Sequence, residues 1–148
     1  MTMRIAQVAL LVREYDEAMR FYVDRIGFRC VEDTPLAGGK RWVRLAPPRA
    51  PNVAGAAGVS GAGIPSGAEL LLSRAATPEQ LARVGSQTGG RVLFFLETDD
   101  LRRDYEAMSR CGVIFTEPPR EESYGRVAVF VDLYGNRIDL IEPRRGTV

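Results

Sequence analysis

The sequence predicts an α+β fold made of two tandem βαβββ modules. The segment Gln7–Glu14 leads into an amphipathic run that ends near Gly27, and Leu93–Asp100 leads into an equivalent run that ends near Gly112. The offset between the copies is 86 residues at the start of the segments and 85 residues at the two glycines. A strand-helix unit that recurs at such a period indicates a duplicated module, and two modules of this kind can enclose a cleft.

The first module is predicted over about residues 3–73. Arg4–Val12 is a nearly continuous apolar run, which is typical of a buried strand. A helix follows over about Tyr15–Arg25. Its acidic first turn suits the helix dipole, and Gly27 can end it. The remaining strands are expected at Phe28–Asp33, Lys40–Ala46 and Glu69–Ser73.

A long segment without hydrophobic periodicity interrupts the first module. Arg49–Gly67 consists almost wholly of Pro, Gly, Ala, Ser and Val. This composition is typical of a loop. Two interpretations stay open at this point, a surface loop and a lid over a pocket.

A bridge over about residues 74–90 links the modules. Thr77 can cap a short helix that has Pro78 at its first position and Gln80 to close a capping box. The helix is expected to reach about Val84, and Gly85 ends it.

The second module is predicted over about residues 91–143. Asp99 or Asp100 caps the helix that follows its first strand. The strands are expected at Val92–Thr98, Val113–Thr116, Arg126–Val131 and Arg137–Glu142, and the inner face of the helix comprises Leu101, Tyr105 and Met108. The run Pro118–Glu122 is expected to be a solvated loop, and Tyr134-Gly135-Asn136 a tight turn.

Composition excludes several classes of function. The chain has 148 residues, is 45% apolar and carries a net charge of +1, so it gives no electrostatic argument for binding nucleic acid or an anionic membrane. No segment approaches about 18 consecutive apolar residues. We therefore expect no membrane span, no signal peptide and a cytoplasmic protein. In that compartment Cys30 and Cys111 are expected to be reduced, mostly buried thiols.

The chain has no histidine, which excludes Ser-His and Cys-His nucleophilic chemistry and every histidine-ligated metal site.

The order of elements and two motifs carry a resemblance to a known family. The motifs are Leu11–Ala18, at the first strand-helix junction, and Asp132-Leu133-Tyr134-Gly135-Asn136, before the last strand. With them the chain resembles the vicinal oxygen chelate superfamily, which includes glyoxalase I, extradiol dioxygenases, fosfomycin-resistance transferases and bleomycin-resistance proteins. The resemblance covers nearly the whole chain and implies a glyoxalase-like fold, in which two mixed sheets curl around an open cleft. It does not imply one activity, since this fold hosts several reactions and also pure binders.

The resemblance also implies where a metal ion would bind. Metal-dependent members take one ligand from each of four strands, typically His or Gln, Glu, His and Glu. These positions fall on Gln7, on Glu69 or its same-face neighbour Leu71, on Leu93 and on Asp139. Because leucine cannot coordinate an ion, we expect a metal-free cleft and no cofactor. The alternative is a weak all-oxygen site for Mg²⁺, Ca²⁺ or Mn²⁺ on Gln7, Glu69 and Asp139.

The polar candidates also have interpretations that need no family. A buried amide at Gln7 must be hydrogen-bonded, either to Asp139, to backbone or to a ligand. Glu69 is expected to be a solvated strand end. Asp139 lies two residues from Arg137 on one face of a strand. An Arg137–Asp139 ion pair therefore stays open as one alternative. The other is a catalytic base, since Asp139 or Glu69 could have a raised pKa if the two converge in a dry cleft.

Three aromatic residues are candidates for contact with a ligand. Trp42 is the only tryptophan and shares strand parity with Arg44. It either stacks on a flat ligand or packs in a core or interface. Phe95 shares parity with Leu93 and therefore faces the expected cleft. Tyr124 follows an acidic turn and is expected at a pocket rim.

These observations predict a homodimeric small-molecule binder of the bleomycin-resistance type, and the dimer is implied by the resemblance alone. The ligand is expected to be small and aromatic or partly apolar, in a cleft lined by Gln7, Trp42, Leu93, Phe95, Tyr124 and Asp139. Two alternatives stay open. One is a metal-dependent lyase, isomerase or dioxygenase that polarises two vicinal oxygens of its substrate. The other is a structural or regulatory domain whose own side chains fill the cleft.

Overall fold

A computed structural model describes residues 1–48 and 67–144 of the chain. The residues form two compact units, Met1–Arg74 and Ala75–Val148. Each unit contains one βαβββ module with one four-stranded mixed sheet, so the α+β class with two such modules is confirmed. The predicted loop Arg49–Gly67 lies outside the described residues except for Gly67, and its two interpretations stay predictions.

In its described residues, the first unit contains a four-stranded sheet and, after the first strand, a helical segment. Its strands are β1 Gln7–Val12, β2 Arg29–Pro35, β3 Arg41–Ala46 and β4 Glu69–Arg74. They are ordered β1-β4-β3-β2, with β1 parallel to β4 and the other neighbours antiparallel. Helix α1 spans Tyr15–Met19 and continues as a π-helical segment over Arg20–Arg25, so the helical region ends where the sequence predicts. The chain leaves it through Gly27 at φ +82°, a left-handed conformation that glycine adopts without steric cost.

One face of this sheet is buried with the helical segment. Tyr22 is fully buried, and its ring meets Phe21 and Phe28 edge to face with centroids 5.2 and 5.5 Å apart. The strand residues buried on this face are Leu10, Val12, Val43, Leu45, Leu70 and Leu72. A slip of one residue in the strand register would move this apolar set to the opposite face, so its burial specifies the register.

The second unit repeats this arrangement. Its strands are β5 Val92–Glu97, β6 Ile114–Glu122, β7 Gly125–Val131 and β8 Arg137–Pro143. They are ordered β5-β8-β7-β6, with β5 parallel to β8 and the other neighbours antiparallel. Leu101, Met108, Ala128, Phe130, Ile138 and Leu140 are buried and form the core between the sheet and its helix.

Both helices of the second unit have the caps that the sequence predicts. Helix α2 spans Pro78–Arg83, and the Thr77 hydroxyl accepts a hydrogen bond from the Gln80 N–H at 3.2 Å. Helix α3 spans Leu101–Arg110, and the Asp100 carboxylate accepts from the Arg103 N–H at 2.9 Å. Each cap satisfies a donor that the first helical turn leaves unpaired. In the described part of the chain, no helix has both the length and the apolar character that a bilayer span needs.

The prediction of a solvated loop at Pro118–Glu122 is wrong, because this run is the second half of β6. The strand lies at the edge of its sheet, where one side of the backbone needs no partner. Its register with β7 shifts between Glu117 and Arg120, which accommodates the two prolines at a bulge. Proline lacks the N–H that a central strand must donate, and edges and bulges are where sheets tolerate it.

The predicted turn before the last strand is confirmed, and one buried carboxylate holds it. Asp132 Oδ1 accepts hydrogen bonds from the N–H groups of Tyr134 and Asn136, each at 2.9 Å. Asp132 Oδ2 accepts from Asn136 Nδ2 at 2.9 Å. Gly135 has φ +92°, which completes the turn. The turn therefore fixes the point at which β8 begins.

Both cysteines are free thiols, but the prediction that they are mostly buried is wrong. Cys30 and Cys111 are exposed. Cys30 lies on β2, an edge strand whose residues are almost all exposed. Cys111 follows α3 at its C-terminal end, beyond the last buried residue, Met108. Similar sequence positions in the two modules therefore do not place either thiol in a core.

Gly85 allows a test of how the segment after α2 packs. A Cβ atom at Gly85, where φ is +84°, would lie 2.0 Å from the carbonyl oxygen of Tyr134, whereas a Cβ at Gly89, where φ is +68°, would meet no atom within 4 Å. We predict that Gly89→Ala lowers the free energy of unfolding by about 1 kcal/mol through backbone strain. Gly85→Ala should lower it by at least about 3 kcal/mol, because strain and steric overlap add. Urea unfolding followed by circular dichroism measures both, and equal losses would contradict close packing at Gly85.

Candidate functional site

One face of the first sheet carries a connected set of polar side chains. Gln7 on β1 lies beside Glu69 on β4. Glu69 Oε1 accepts hydrogen bonds from Arg44 Nε at 2.8 Å and from Gln7 Nε2 at 3.3 Å, and Glu69 Oε2 accepts from Arg44 Nη2 at 3.3 Å. Arg44 Nη1 also donates to Glu32 Oε1 at 2.7 Å. We call these four side chains, Gln7, Glu32, Arg44 and Glu69, the Glu69 network.

The Glu69 network corrects two expectations. Glu69 is only 6% exposed, so the prediction of a solvated strand end is wrong. Its negative charge can be buried because the guanidinium group of Arg44 pairs with the carboxylate through two hydrogen bonds. The same hydrogen bonds from Arg44 hold the pKa of Glu69 below its usual range, against the opposing effect of burial. Gln7 Nε2 donates to Glu69 Oε1, a partner that the sequence does not suggest, so this partner of its amide lies within its own module.

Trp42 lies on the same face as Arg44, as strand parity predicts. It pairs with Thr34 on β2 and is 37% exposed, so it is not a core residue. Arg44 lies beside Leu71 in the register of β3 and β4. Extending that register places Trp42 about four residues, or roughly 13 Å, along the strands from the level of Gln7. The two candidates therefore share a face but lie at opposite ends of it.

Asp139 occupies the centre of the corresponding face of the second sheet. It lies beside Phe95 on β5 and beside Val129 on β7. Phe95 is 62% exposed, whereas Val129 is buried. The Oδ1 atom of Asp139 is buried and has no hydrogen-bond partner among the described residues. A buried acceptor left in this state costs on the order of 1–3 kcal/mol.

The ion pair between Arg137 and Asp139, one of the alternatives that the sequence leaves open, does not form among the described residues, because acidic residues of β6 hold the nearby arginines. Arg137 Nη2 donates to Glu117 Oε2 at 3.2 Å, and Arg120 Nη1 donates to Glu117 Oε1 at 3.2 Å. Arg120 Nε also donates to Glu122 Oε1 at 2.8 Å. Burial raises the pKa of Asp139, and the two arginines lower it only in part while Glu117 raises it further. The raised pKa proposed for a base at Asp139 therefore agrees with the structure in its direction.

Leu93 lies at an irregularity in β5 that strand parity does not anticipate. The ladder pairs Val92 with Arg137 and Phe95 with Asp139, so three steps along β5 match two steps along β8. The extra residue is a bulge, which interrupts the alternation of side chains. Phe95, rather than Leu93, is therefore the residue of β5 that lies beside Asp139.

The internal repeat identifies the counterpart of Asp139 in the first module. At the offset of 86 residues, Ala9 corresponds to Phe95. Ala9 lies beside Leu71, just as Phe95 lies beside Asp139. Leu71, and not Glu69, is therefore the structural counterpart of Asp139. This register resolves the alternative between Glu69 and Leu71 that the sequence leaves open.

Tyr124 is not adjacent to Asp139. It lies in the turn between β6 and β7, is 52% exposed, and its carbonyl oxygen accepts a hydrogen bond from the Arg144 N–H at 2.9 Å. Val129, which pairs with Asp139, is five residues further along the chain. Five residues of a strand correspond to roughly 16 Å. The sequence-predicted residues that the structure brings together in the second unit are thus Phe95 and Asp139.

Sequence analysis did not identify Glu32, Glu117 and Arg120 as partners of the candidate residues. Glu32 follows a register shift in β2, which breaks the alternation from which its face could be read. Glu117 and Arg120 flank two prolines, and prolines in a sequence favour the prediction of a loop rather than a strand. Within residues 1–48 and 67–144, no group of three His, Cys, Asp or Glu side chains lies close enough together to hold a metal ion.

Comparison with known proteins adds three kinds of similarity. A family model described as Glyoxalase/Bleomycin resistance protein/Dioxygenase superfamily matches residues 4–140. An uncharacterized protein of Shewanella frigidimarina (strain NCIMB 400) is 48% identical over 143 residues, 96% of this chain and 95% of the relative. Among solved structures, TnmS3, an antibiotic binding protein from Streptomyces sp. CB03234, is 26% identical at a TM-score of 0.69, covering 97% of this chain and 98% of its own. UcmS2, 24% identical at a TM-score of 0.74 with coverage of 96% and 99%, shows the fold alone.

Removal of Arg44 tests the Glu69 network. Arg44→Met leaves the carboxylate of Glu69 buried without a cationic partner, although Gln7 still donates to it, so we predict a loss of about 3 kcal/mol in the free energy of unfolding at neutral pH. The double variant Arg44→Met/Glu69→Leu should recover most of that loss, because an apolar pair of similar volume carries no buried charge. The exposed pair Arg102–Glu106 provides the control, and Arg102→Met should change stability by less than about 0.5 kcal/mol.

The same variants have an expected pH dependence. Because the pKa of Glu69 is lowered in the folded protein, its stabilising effect is present above the ordinary pKa of a glutamate and is lost as the pH falls through the lowered one. The difference between wild type and Arg44→Met should therefore shrink in acid. A difference in urea unfolding that is constant from about pH 7 to pH 3 would contradict the pairing.

Asp139 should show the opposite dependence on pH. Its pKa is raised by burial, so the folded protein binds this proton more tightly than the unfolded chain, and stability falls as the pH rises through the raised pKa. Asp139→Asn lacks this titration. We therefore expect the variant to gain stability relative to wild type as the pH rises from about 3.5 to 7, as measured by urea unfolding. A difference between Asp139→Asn and wild type that stays constant over this range would contradict the raised pKa.

Proposed function

The chain belongs to the Glyoxalase/Bleomycin resistance protein/Dioxygenase superfamily, and on that premise we propose that it is a metal-free binding protein that holds a small aromatic or partly apolar molecule without converting it. The observation that carries this proposal is the nature of the side chains at the positions where related metal enzymes hold their ion. Leu71 is the counterpart of Asp139, and Leu93 stands in the bulge of β5. Neither leucine can donate to a cation.

The remaining oxygen donors do not fit a divalent cation well. Both carboxylate oxygens of Glu69 accept hydrogen bonds from Arg44, and Oε1 also accepts one from Gln7. An ion at Glu69 would have to displace a guanidinium that already neutralises the carboxylate. A single aspartate with one amide is a small ligand set for Ca²⁺, which takes about six to eight oxygen ligands, and Mg²⁺ would have to keep most of its waters. This argues against the alternative of a metal-dependent lyase, isomerase or dioxygenase.

The similarity to TnmS3 supports binding as the function. TnmS3 is described as an antibiotic binding protein, and the similarity extends over 97% of this chain at 26% identity. A protein that only sequesters its ligand needs no metal and no general base. It needs surfaces on which a ligand can lie, and the loss of metal donors from an otherwise intact fold is consistent with that requirement.

Exposed aromatic rings on the polar faces of both sheets support the class of ligand. Trp42 shares its face with the Glu69 network, and Phe95 shares its face with Asp139. Both rings are more than one-third exposed, although each could bury a large apolar area. A flat aromatic ligand would cover such a ring and would gain stacking energy of about 0.5–1.5 kcal/mol beyond burial.

The experiment that tests the proposal combines affinity with the fate of the ligand. Full-length protein, treated with a chelator and then dialysed, is titrated calorimetrically with planar aromatic antibiotics. We expect at least one to bind with the same affinity in 1 mM EDTA and in 1 mM Mg²⁺ or Mn²⁺. At about 100 times its dissociation constant, it should stabilise the fold by about 2.7 kcal/mol. Mass spectrometry should recover the ligand unchanged after prolonged incubation.

Two outcomes would contradict this function. Affinity that depends on a divalent cation, and disappears in EDTA, would favour the metal-dependent alternative. Conversion of the ligand to a product would make the chain an enzyme. The variant Leu81→Ala, which removes an exposed apolar side chain from α2, is the control for nonspecific adsorption and should bind like the wild type.

A further inference from the structure

The described part of the second module contains one buried side-chain acceptor that has no hydrogen-bond partner. Among the buried side-chain nitrogen and oxygen atoms of the described residues, only Asp139 Oδ1 has no partner. Buried polar atoms are almost always satisfied, so each exception in a native structure requires an explanation. A function is one such explanation, because a ligand can supply the missing donor.

The acceptor is left free although two arginines lie on the same face. Arg137 and Arg120 both donate to Glu117, and Arg120 also donates to Glu122. Their charges act on Asp139 through space, but no hydrogen bond joins either arginine to it. Glu117 therefore keeps both guanidinium groups from satisfying Asp139.

An exposed aromatic ring lies directly beside this acceptor. Phe95 and Asp139 are partners in the parallel ladder of β5 and β8, so their side chains emerge on the same face at neighbouring positions. The ring of Phe95 is 62% exposed. The face therefore presents an apolar ring and an unsatisfied oxygen on neighbouring strands, whose backbones are about 4.8 Å apart.

The charges around the pair favour a neutral ligand. Asp139 and Glu117 carry two negative charges, and Arg120 and Arg137 carry two positive charges. These charges balance, so they create no net field that would attract a cationic or an anionic ligand to the pair. A neutral O–H or N–H donor needs no such attraction and still forms a hydrogen bond to a charged acceptor, which is stronger than one to a neutral acceptor.

We infer that Phe95 and Asp139 form a recognition pair for a neutral aromatic molecule that carries a hydroxyl group on its ring. The ring of the ligand stacks on Phe95, and its hydroxyl group donates to Asp139 Oδ1. This inference rests on the proposed binding function and specifies the chemistry of the ligand. It also explains why the oxygen stays unpaired within the chain at a cost to stability.

The ligand must move a side chain to reach the oxygen, since Oδ1 is shielded from solvent. The long side chains of Arg120 and Arg137 are the flexible groups close to it, and they are 40% and 44% exposed. Surface ion pairs of this kind contribute only about 0–1 kcal/mol each. Rotation of either guanidinium away from Glu117 is therefore a small cost of binding.

Two probes that differ only in their donor test the pair. 2-Naphthol can donate a hydrogen bond, whereas 2-methoxynaphthalene has the same ring system and cannot. Calorimetric titration of the full-length protein at about pH 8 should give 10- to 100-fold tighter binding of 2-naphthol, the range expected for a hydrogen bond to a charged group. Asp139→Leu should reduce this ratio to about one, and Asp139→Asn, which keeps an acceptor oxygen, should retain part of it.

Phe95→Ala separates stacking from hydrogen bonding. It should weaken the binding of both probes by a similar factor of about 10 and leave the ratio of their affinities unchanged, whereas Leu81→Ala should change neither affinity.

Equal affinity of the wild type for the two probes, or a ratio that Asp139→Leu does not alter, overturns the recognition pair and leaves the proposed binding function intact. Failure of both naphthalene probes, with planar antibiotics still bound, overturns the pair alone. Failure of every aromatic compound overturns both proposals.

Discussion

Burial of one face of each four-stranded sheet is the constraint on which the rest of the structure depends. In the first unit that face includes Leu45 and Leu72, and in the second it includes Phe130, Ile138 and Leu140. Because side chains alternate along a strand, a slip of one residue would expose these cores to water. The cores therefore specify the register, and the register decides which polar and aromatic residues share the opposite face. The candidate sites are a consequence of apolar packing elsewhere in the same strands.

The two modules use this common geometry for different electrostatic results. In the first module, the guanidinium group of Arg44 neutralises the buried carboxylate of Glu69. Both oxygens of that carboxylate already accept hydrogen bonds, so Glu69 is not available to a ligand. In the second, acidic residues of an edge strand hold the arginines, and the Oδ1 atom of Asp139 stays buried without a hydrogen-bond partner among the described residues. Duplication thus preserved the fold, while changes at a few positions on one face produced a satisfied network in one module and an unsatisfied acceptor in the other.

This difference between the modules bears on how a member of a catalytic superfamily can act as a binder. A vicinal oxygen chelate enzyme needs several oxygen or nitrogen donors free to coordinate one ion. In this chain the counterpart of Asp139 in the first module is Leu71, which has no carboxylate. The nearby carboxylate of Glu69 is bound by Arg44. In the proposed function, the donors that a metal would have used are replaced by apolar contact and a single hydrogen bond. Affinity then depends on stacking and on one charged acceptor rather than on a cation.

The sequence alone determined the module duplication, the order of the elements, the capped helices and the turn at Gly135, because periodicity, caps and glycine conformations are local properties. The absence of histidine also limited the chemistry without any structure. Only the tertiary structure decided that Glu69 is buried, that Pro118 and Pro119 lie in an edge strand, and that Leu71 is the counterpart of Asp139. These facts depend on pairing between residues far apart in the chain and on bulges that break the alternation of side chains. The competition between Glu117 and Asp139 for the same arginines likewise depends on which side chains converge in space.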